Sequence, residues 1–218
     1  PAFLNTNKPT IQSLKDFTDQ DRIAVPGVKL SLQAILLEMA AERTFGPGQQ
    51  FKLDPLTVTL PHPDGAVALL SGRTEISGHF TSPPFQEQEL QNRKIHRVLS
   101  SYEITNGPAS FSALWTTAKF RSDNPKTYRA VLAAAEEATA FINADKPEAA
   151  RIFIMIDHSS LSQEFVESML RDKDIIYSTT PLGVEKVASF MARIGTIHAA
   201  PASWKELFFP DIYDKPGS

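Results

Sequence analysis

Between residues 22 and 104, segments with the apolar pattern of a strand alternate with segments that have the apolar spacing of a helix. A short apolar run, Ile23–Val25, precedes a break at Pro26-Gly27, as expected of a buried strand that ends in a turn. The apolar positions that follow have helical spacing and form one face: Leu32, Ile35, Leu36, Met39 and Ala40. Gly46-Pro47-Gly48 ends this predicted helix. The pattern therefore predicts a strand, a glycine turn and a long helix.

The same alternation continues through the first half of the chain. Strands are predicted at 56–60, 75–80 and 95–104, with helices at 66–70 and 85–90 between them. Asp64 is expected to cap the helix at 66–70, and Ser82-Pro83 to start the helix at 85–90. Strands that alternate with helices predict an α/β fold, with a mainly parallel sheet flanked by helices and right-handed connections.

The pattern changes after Asn106-Gly107-Pro108. Residues 111–117 (FSALWTT) are apolar and predict a strand, and an isolated strand is also expected at residues 2–5. Helical spacing then predicts a mostly helical C-terminal part, with helices at 127–143, 146–156, 159–170 and 182–194. Phe111, Trp115 and Trp204 are expected in the core, because large aromatic residues are usually buried.

Composition narrows the classes of partner. The chain has 218 residues, a net charge of −3 and a pI near 6.0, so no basic field favours nucleic acid or an anionic membrane surface. No cysteine is present, which excludes disulfides, thiolate nucleophiles and cysteine metal sites. No apolar run approaches the ~20 residues of a membrane span, so direct membrane insertion is not expected. The chain opens at PAFLNTNKP without a signal-peptide pattern, so either a leader has been removed or further sequence precedes it.

Candidate chemistry lies at three predicted strand ends. They are Pro26–Ser31, with Gly27 and Lys29, then Pro61–Asp64, with His62, and then Phe80–Pro83, with Thr81 and Ser82. In an open parallel sheet, ligands bind beyond the carboxyl ends of the strands, near helix N-termini that attract anions. These positions predict a site for a small anionic or polar molecule. The alternative is that Pro26-Gly27 is an ordinary connection and Ser31 only a helix cap.

Other kinds of site have little support in the sequence. None of the five histidines shows HxH or HxxxH spacing, so no metal site is predicted. His62, which lies between two prolines at a strand end, is the histidine with a candidate role. No GxSxG motif favours a hydrolase, and neither GxGxxG nor GxxxxGK[ST] favours a standard nucleotide site. No cofactor is expected.

Four segments in order resemble one protein family. They are IAVPGVKLSLQAILLEMAAERTFGPG, LPHPDGAVALLSGRTEISGHFTSPPFQEQEL, KFRSDNPKTYRAVLAA with FINADK, and RIGTIHAAPASWKELFFPDI. Together they are similar to substrate-binding proteins of ABC importers of the nitrate/taurine/sulfonate group. The resemblance spans nearly the whole chain.

The resemblance implies a two-lobed, type II periplasmic-binding-protein fold with ligand in the cleft between lobes. Residues 17–106 would form the second lobe, and residues 1–16 and 107–218 the remainder of the first lobe, whose opening β-α-β portion is missing. Carried over to this chain, Lys29 and Ser31 correspond to the positions that hold an anionic head group. Thr81, Ser82 and Asn5 correspond to other cleft-facing positions.

The resemblance also implies partners and a location. The protein would carry a sulfonate, taurine, nitrate or related molecule to an ABC permease, and would be periplasmic or lipid-anchored outside the cytoplasm. It would not be an enzyme. Two alternatives stay open: an enzyme of the same fold with His62 or His79 as general base, acting on a small heterocycle such as a pyrimidine precursor, or a sensor module that reuses the fold.

Overall fold

A five-stranded mixed sheet is the central element of the fold. A computed structural model describes all 218 residues. The strands are β1 (Phe3–Thr6), β2 (Arg22–Val25), β3 (Thr57–Thr59), β4 (Ile76–Thr81) and β5 (His96–Ser100), in the order β3-β2-β4-β1-β5. The helices are α1 (Leu32–Phe45), α2 (His62–Ser71), α3 (Phe85–Leu90), α4 (Ser101–Thr105), α5 (Ala118–Asp123), α6 (Pro125–Ala144), α7 (Lys146–Asp157), α8 (Gln163–Leu170) and α9 (Val184–Arg193). None of these nine helices has the length and apolar character needed to cross a membrane.

Three neighbouring strands are parallel, as the sequence predicts. β2 pairs in parallel with β3 on one side and with β4 on the other. The helices α1 and α2 connect them in chain order. The predicted α/β class with a mainly parallel sheet is therefore confirmed, and the carboxyl ends of β2, β3 and β4 lie along one edge.

The first strand lies inside this sheet and runs against it. β1 is antiparallel to both β4 and β5, and all four of its residues are buried. The backbone groups of β1 therefore pair with strands on both sides. The resemblance implies that residues 1–16 and 17–106 belong to different lobes. The wider division into lobes of a complete binding protein stays a prediction.

Contacts divide the chain into two units. The first contains Pro1–Phe111 and Leu182–Ser218. Its main core packs the apolar faces of β2, β4 and α1 around Leu4, Val25, Leu37 and Phe80, which are almost fully buried. The second unit, Ser112–Pro181, contains α5 to α8 and a small core formed by Ala149, Ala150, Val166, Met169 and Leu170.

Two of the predicted strands differ in the structure: one is shorter than predicted, and the other does not form. The strand predicted at 95–104 stops at Ser100, whose side chain accepts a hydrogen bond from the Tyr102 N–H and so caps α4. The segment 111–117 forms no strand, because it pairs with none of the five strands. Its Phe111 and Trp115 are 38% and 83% exposed, so the expectation that these two residues lie in the core was wrong, whereas Trp204 is buried at 6%.

The start of α2 also corrects the sequence prediction. Asp64 lies inside the first turn, and the helix begins at His62 with Pro61 as its N-cap. Proline suits these positions because its φ angle fits a helix start and its missing N–H would have no helical partner there. This earlier start places His62, rather than Asp64, at the end of the helix beside the sheet edge.

Candidate functional site

Three strand ends meet at one edge of the sheet and are joined by side-chain contacts. The Val28 N–H after β2 donates to Thr59 Oγ1 on β3, at 3.2 Å. His62 Nδ1, at the start of α2, lies 2.7 Å from Thr81 Oγ1 at the end of β4. Gln33 Nε2, in the first turn of α1, lies 3.2 Å from His62 Nε2. We call Ser31, Gln33, His62, Thr81 and Phe85 the strand-end site.

The loop before α1 is shaped by its own backbone. Gly27 O accepts the N–H groups of Leu30 and Ser31, at 3.3 and 3.0 Å, which turns the chain from β2 into the helix. Ser31 is the N-cap, and its Oγ accepts the Ala34 N–H at 3.2 Å. A helix cap removes one of the unpaired N–H groups of the first turn, while the positive end of the helix dipole still faces this edge.

His62 is a neutral imidazole whose hydrogen bonds identify its tautomer. The Gln33 amide nitrogen is a donor, so Nε2 of His62 accepts and Nδ1 carries the proton, which it donates to Thr81 Oγ1. Burial and, to a smaller extent, the electrostatic effect of the neighbouring His79 together lower the pKa of His62 to about 4. Both ring nitrogens are therefore held by protein groups at neutral pH.

Two aromatic rings surround the His62 ring. The Phe85 ring stacks on it, with centroids 5.9 Å apart and planes at 16°. The His79 ring lies at the same distance but is tilted by 47°. Phe85 reaches this position because α3 starts directly after the turn that follows β4. The His62 ring is thus fixed through both its nitrogens and its faces.

A buried polar layer lies beside this site and includes Asn5. The Asn5 side chain is fully buried and donates to Glu89 Oε2 and to Gln86 O, at 2.8 and 3.1 Å. His79 Nδ1 contacts Glu89 Oε1 at 2.5 Å, and neither of these side chains is exposed. Asn5 and His79 are register partners on β1 and β4. The amide of Asn5 is thus used to hold α3 against the sheet.

The remaining predicted ligand residues differ in their exposure. Thr81 and Ser82 are buried, and Ser82 O accepts the Phe85 N–H at 3.0 Å. Gly27 lies in the loop before α1 and is half-buried. Lys29 is exposed, has a left-handed backbone with φ of 62°, and places its Nζ 3.9 Å from Asp54 Oδ2. The structure therefore brings Gly27, Lys29 and Ser31 into one loop, and joins His62 to Thr81 directly.

Gln33 and Phe85 are site residues that the sequence analysis did not identify. Gln33 is a polar residue on a helix, yet it is only 3% exposed. It falls beside the apolar positions that defined the buried face of α1, so its burial could have been expected from spacing. No sequence pattern indicated Phe85 as a site residue, because an aromatic residue at a helix start is usually a packing residue.

Glu38 was also not identified and is the most perturbed acid near the site. It lies on α1 and is only 3% exposed. Burial, together with a smaller effect of Asp54 and against the opposing effect of Lys29, raises the pKa of Glu38 to about 7. Burial likewise raises the pKa of Asp54, against the opposing effect of Lys29. The chain has no group of three or more His, Asp or Glu side chains placed to hold a metal ion.

The family comparison is the deciding observation for identity. A family model described as the NMT1-like family matches residues 8–156, which is well over half of the chain. The chain belongs to the NMT1-like family. The match includes every strand from β2 to β5 and the three helices that begin at the strand-end site, α1, α2 and α3.

Solved structures show the same fold at low sequence identity. The NMT1-like chain matches a zinc-bound ligand-binding component of an ABC-type import system from Staphylococcus aureus (TM-score 0.64, 14% identity, 92% of this chain and 66% of that one). It also matches the periplasmic aliphatic sulphonate binding protein SsuA from Escherichia coli (TM-score 0.64, 18% identity, 89% and 62%). An SsuA from Methylobacillus flagellatus KT matches with TM-score 0.58, 16% identity, 91% and 60% coverage.

These matches confirm the expected fold and show how much of that fold the chain contains. The NMT1-like chain has the fold of ligand-binding components of ABC import systems, and it spans 60–66% of the length of these structures. The search of curated proteins gave no match. The resemblance to substrate-binding proteins of ABC importers is therefore confirmed at the level of family and fold.

Proposed function

We propose that this NMT1-like chain is the ligand-capturing part of a solute-binding protein that delivers a small anionic or polar organic molecule to an ABC permease. The observation that carries the proposal is the meeting of three parallel strand ends with the N-termini of α1 and α2. Such an edge offers first-turn N–H groups and a positive dipole end to an anion. One structural relative is a ligand-binding component of an ABC-type import system, and another is a periplasmic aliphatic sulphonate binding protein.

The ligand is proposed to be a sulfonate, taurine, nitrate or a related small molecule, captured outside the cytoplasm. The support for a sulfonate is the fold shared with the two SsuA proteins, which are described as binding sulfonates. In this chain, the ligand would lie against the loop that contains Gly27, Lys29 and Ser31, and against His62. Thr81, Ser82 and Asn5 would support the site from buried positions behind this loop and His62.

A binding role fits the chemistry of His62 better than catalysis does. A general base works best with a pKa near the working pH and with a free nitrogen in reach of the substrate. His62 has a pKa of about 4, and its two nitrogens are held by Thr81 and Gln33. His79, the other candidate base, is fully buried, with Nδ1 held by Glu89. We therefore propose that the chain binds its ligand unchanged.

The test is a thermal-shift screen with methanesulfonate, taurine, nitrate, simple carboxylates and pyrimidines. A ligand at about 100 times its Kd stabilises a protein by roughly 2.7 kcal/mol, which corresponds to a Tm increase of roughly 5–10 °C at this size. We expect at least one compound to reach this shift. We expect His62→Gln to reduce the shift by more than half, because the amide cannot fill the place of the imidazole between Gln33 and Thr81.

His198→Gln is the matched control, because His198 is exposed and lies outside the strand-end site. This variant should give the same ligand shift as the parent protein. If no compound in the screen stabilises the protein, the proposal of ligand capture by this chain is wrong. If mass spectrometry instead finds that a bound pyrimidine is chemically changed, the alternative of an enzyme acting on a small heterocycle is favoured.

A further inference from the structure

An acidic residue lies unpaired in the interior behind the loop that leads into α1. Glu38 is 3% exposed, and its Oε2 has no hydrogen-bond partner. Asp54, before β3, also has a buried oxygen, Oδ2, without a hydrogen-bond partner. Buried polar atoms without partners are rare in native proteins, because each one costs free energy. Both unpartnered oxygens belong to ionisable groups, so the charge of each group decides how much free energy its burial costs.

The nearest cation to this pair belongs to the loop itself. Lys29 Nζ is 3.9 Å from Asp54 Oδ2, too far for a hydrogen bond, and the Lys29 side chain is 68% exposed. Lys29 also has a left-handed backbone conformation, which is uncommon for a residue with a side chain. The ammonium is thus held loosely, by attraction over a distance and without direct bonding.

We propose that Glu38 and Asp54 form a proton-linked latch that holds or releases the Lys29 ammonium. When Glu38 is ionised, the buried Glu38 carboxylate and the partly buried Asp54 carboxylate both attract Lys29 towards the interior. When Glu38 is protonated, only Asp54 attracts it, and the ammonium is freer to reach an anion at the loop. This release of Lys29 is the regulated step.

The other charged groups around α1 have partners of their own or are exposed. At its far end, Glu42 pairs with Arg193 of α9, and Arg43 donates to Glu103 O of α4. On the 3-10 turn Leu14–Asp16, which also packs against α1, Asp16 accepts from Gln12 and Ser13, and Lys15 is exposed. The groups that act electrostatically on Glu38 are Asp54 and Lys29. The latch therefore has three members.

The direction of the pH effect follows from burial. Because burial and the neighbouring Asp54 raise the pKa of Glu38 from its ordinary value of 4.5 to about 7, the latch would change state near neutral pH. The stabilising contribution of Glu38 is complete below pH 4.5 and is lost as the pH rises through about 7. If Lys29 contacts the ligand, as the proposed function requires, anion affinity should fall over the same interval.

The first experiment needs no ligand and uses NMR titration of the Glu38 side-chain carboxyl between pH 4 and 9. We expect a midpoint well above 4.5 in the parent protein. Asp54→Asn should lower this midpoint, because it removes a neighbouring negative charge, and Lys29→Met should raise it. In Glu38→Gln, the Lys29 Cε signal should lose the inflection that it shows near neutral pH in the parent.

Two outcomes would overturn the latch. One is an ordinary Glu38 midpoint near 4.5, and the other is a Lys29 signal with no inflection between pH 5.5 and 8.5 in the parent protein. The thermal midpoint gives a second measure: the Tm of the parent should fall between pH 5 and 8 relative to that of Glu38→Gln. Equal pH profiles for the two proteins would contradict the proposal in the same way.

The ligand arm uses methanesulfonate as probe, with calorimetric titration at pH 6 and pH 8. We expect affinity to fall by up to about tenfold from pH 6 to pH 8, the factor that corresponds to a shift of one pKa unit, and to stay constant in Glu38→Gln. Absence of methanesulfonate binding at both pH values, with a normal Lys29 inflection, would count against the proposed ligand and leave the latch supported. If methanesulfonate bound with the same affinity at pH 6 and pH 8, the proposed control of anion affinity by the latch would be wrong.

Discussion

Glu89→Ala is expected to be among the most destabilising single substitutions in the chain, with a loss of about 3 kcal/mol in the free energy of unfolding. The carboxyl of Glu89 accepts from His79 Nδ1 on β4 and from Asn5 Nδ2 on β1, and none of the three side chains is exposed. The substitution leaves His79 Nδ1 and one of the two N–H groups of the Asn5 amide without an acceptor, while the other Asn5 N–H keeps Gln86 O. Unlike surface groups, these donors have no water to replace the lost hydrogen bonds.

The same substitution should loosen the site as well as the fold. Glu89 lies on α3, and α3 also carries Phe85, whose ring stacks on His62. When the anchor of α3 to β1 and β4 is lost, the Phe85 ring should move away from His62. Urea denaturation measures the first effect, and histidine ring NMR signals report the second through a change in the His62 chemical shifts.

Gln88→Ala is the control for Glu89→Ala, because Gln88 lies next to it on the same helix and no side-chain hydrogen bond is seen for it. Its substitution should change stability by less than about 0.5 kcal/mol. Equal effects of the two substitutions would show that the buried layer contributes nothing beyond ordinary helix packing. The assignment of Asn5, His79 and Glu89 as a structural layer behind the site would then be wrong.

The parallel part of the sheet could be predicted from the sequence because its signals are local. The apolar run Ile23–Val25, the break at Pro26-Gly27 and the helical spacing after Ser31 all lie within one short segment. Alternating strands and helices then imply parallel neighbours with their carboxyl ends at one edge. The placement of His62 and Thr81 at that edge follows from this geometry, whereas their direct contact is seen only in the structure.

Features that depend on distant partners could not be predicted in the same way. The position of β1 between β4 and β5 depends on pairing with residues more than 70 positions away, which short-range periodicity cannot reveal. Trp115 was expected in the core from its residue type alone, but exposure depends on which elements pack around it. The burial of Glu38 is a further case, because charged residues are usually exposed.

Gly65→Ala is expected to destabilise the protein by about 2 kcal/mol, although alanine is the better helix former by about 1 kcal/mol. Gly65 lies in α2, where an added Cβ would be 2.5 Å from Nε2 and 2.7 Å from Cε1 of His79. The His79 ring is fully buried and held by Glu89 at 2.5 Å, so it cannot move aside. Helix α2, which begins with His62, must shift instead.

A double-substitution cycle separates this clash from any general effect of the new methyl group. In the His79→Ala background the ring is absent, so Gly65→Ala should there become neutral or stabilising, which gives a large interaction energy between the two sites. Gly27→Ala adds the same methyl group where the nearest atom is 3.8 Å away, and it should cost much less stability.

Ligand binding gives the functional measure, because a shift of α2 displaces His62 from Gln33 and Thr81. If Gly65→Ala cost the same with and without the His79 ring, close packing of α2 on His79 would not be what positions His62.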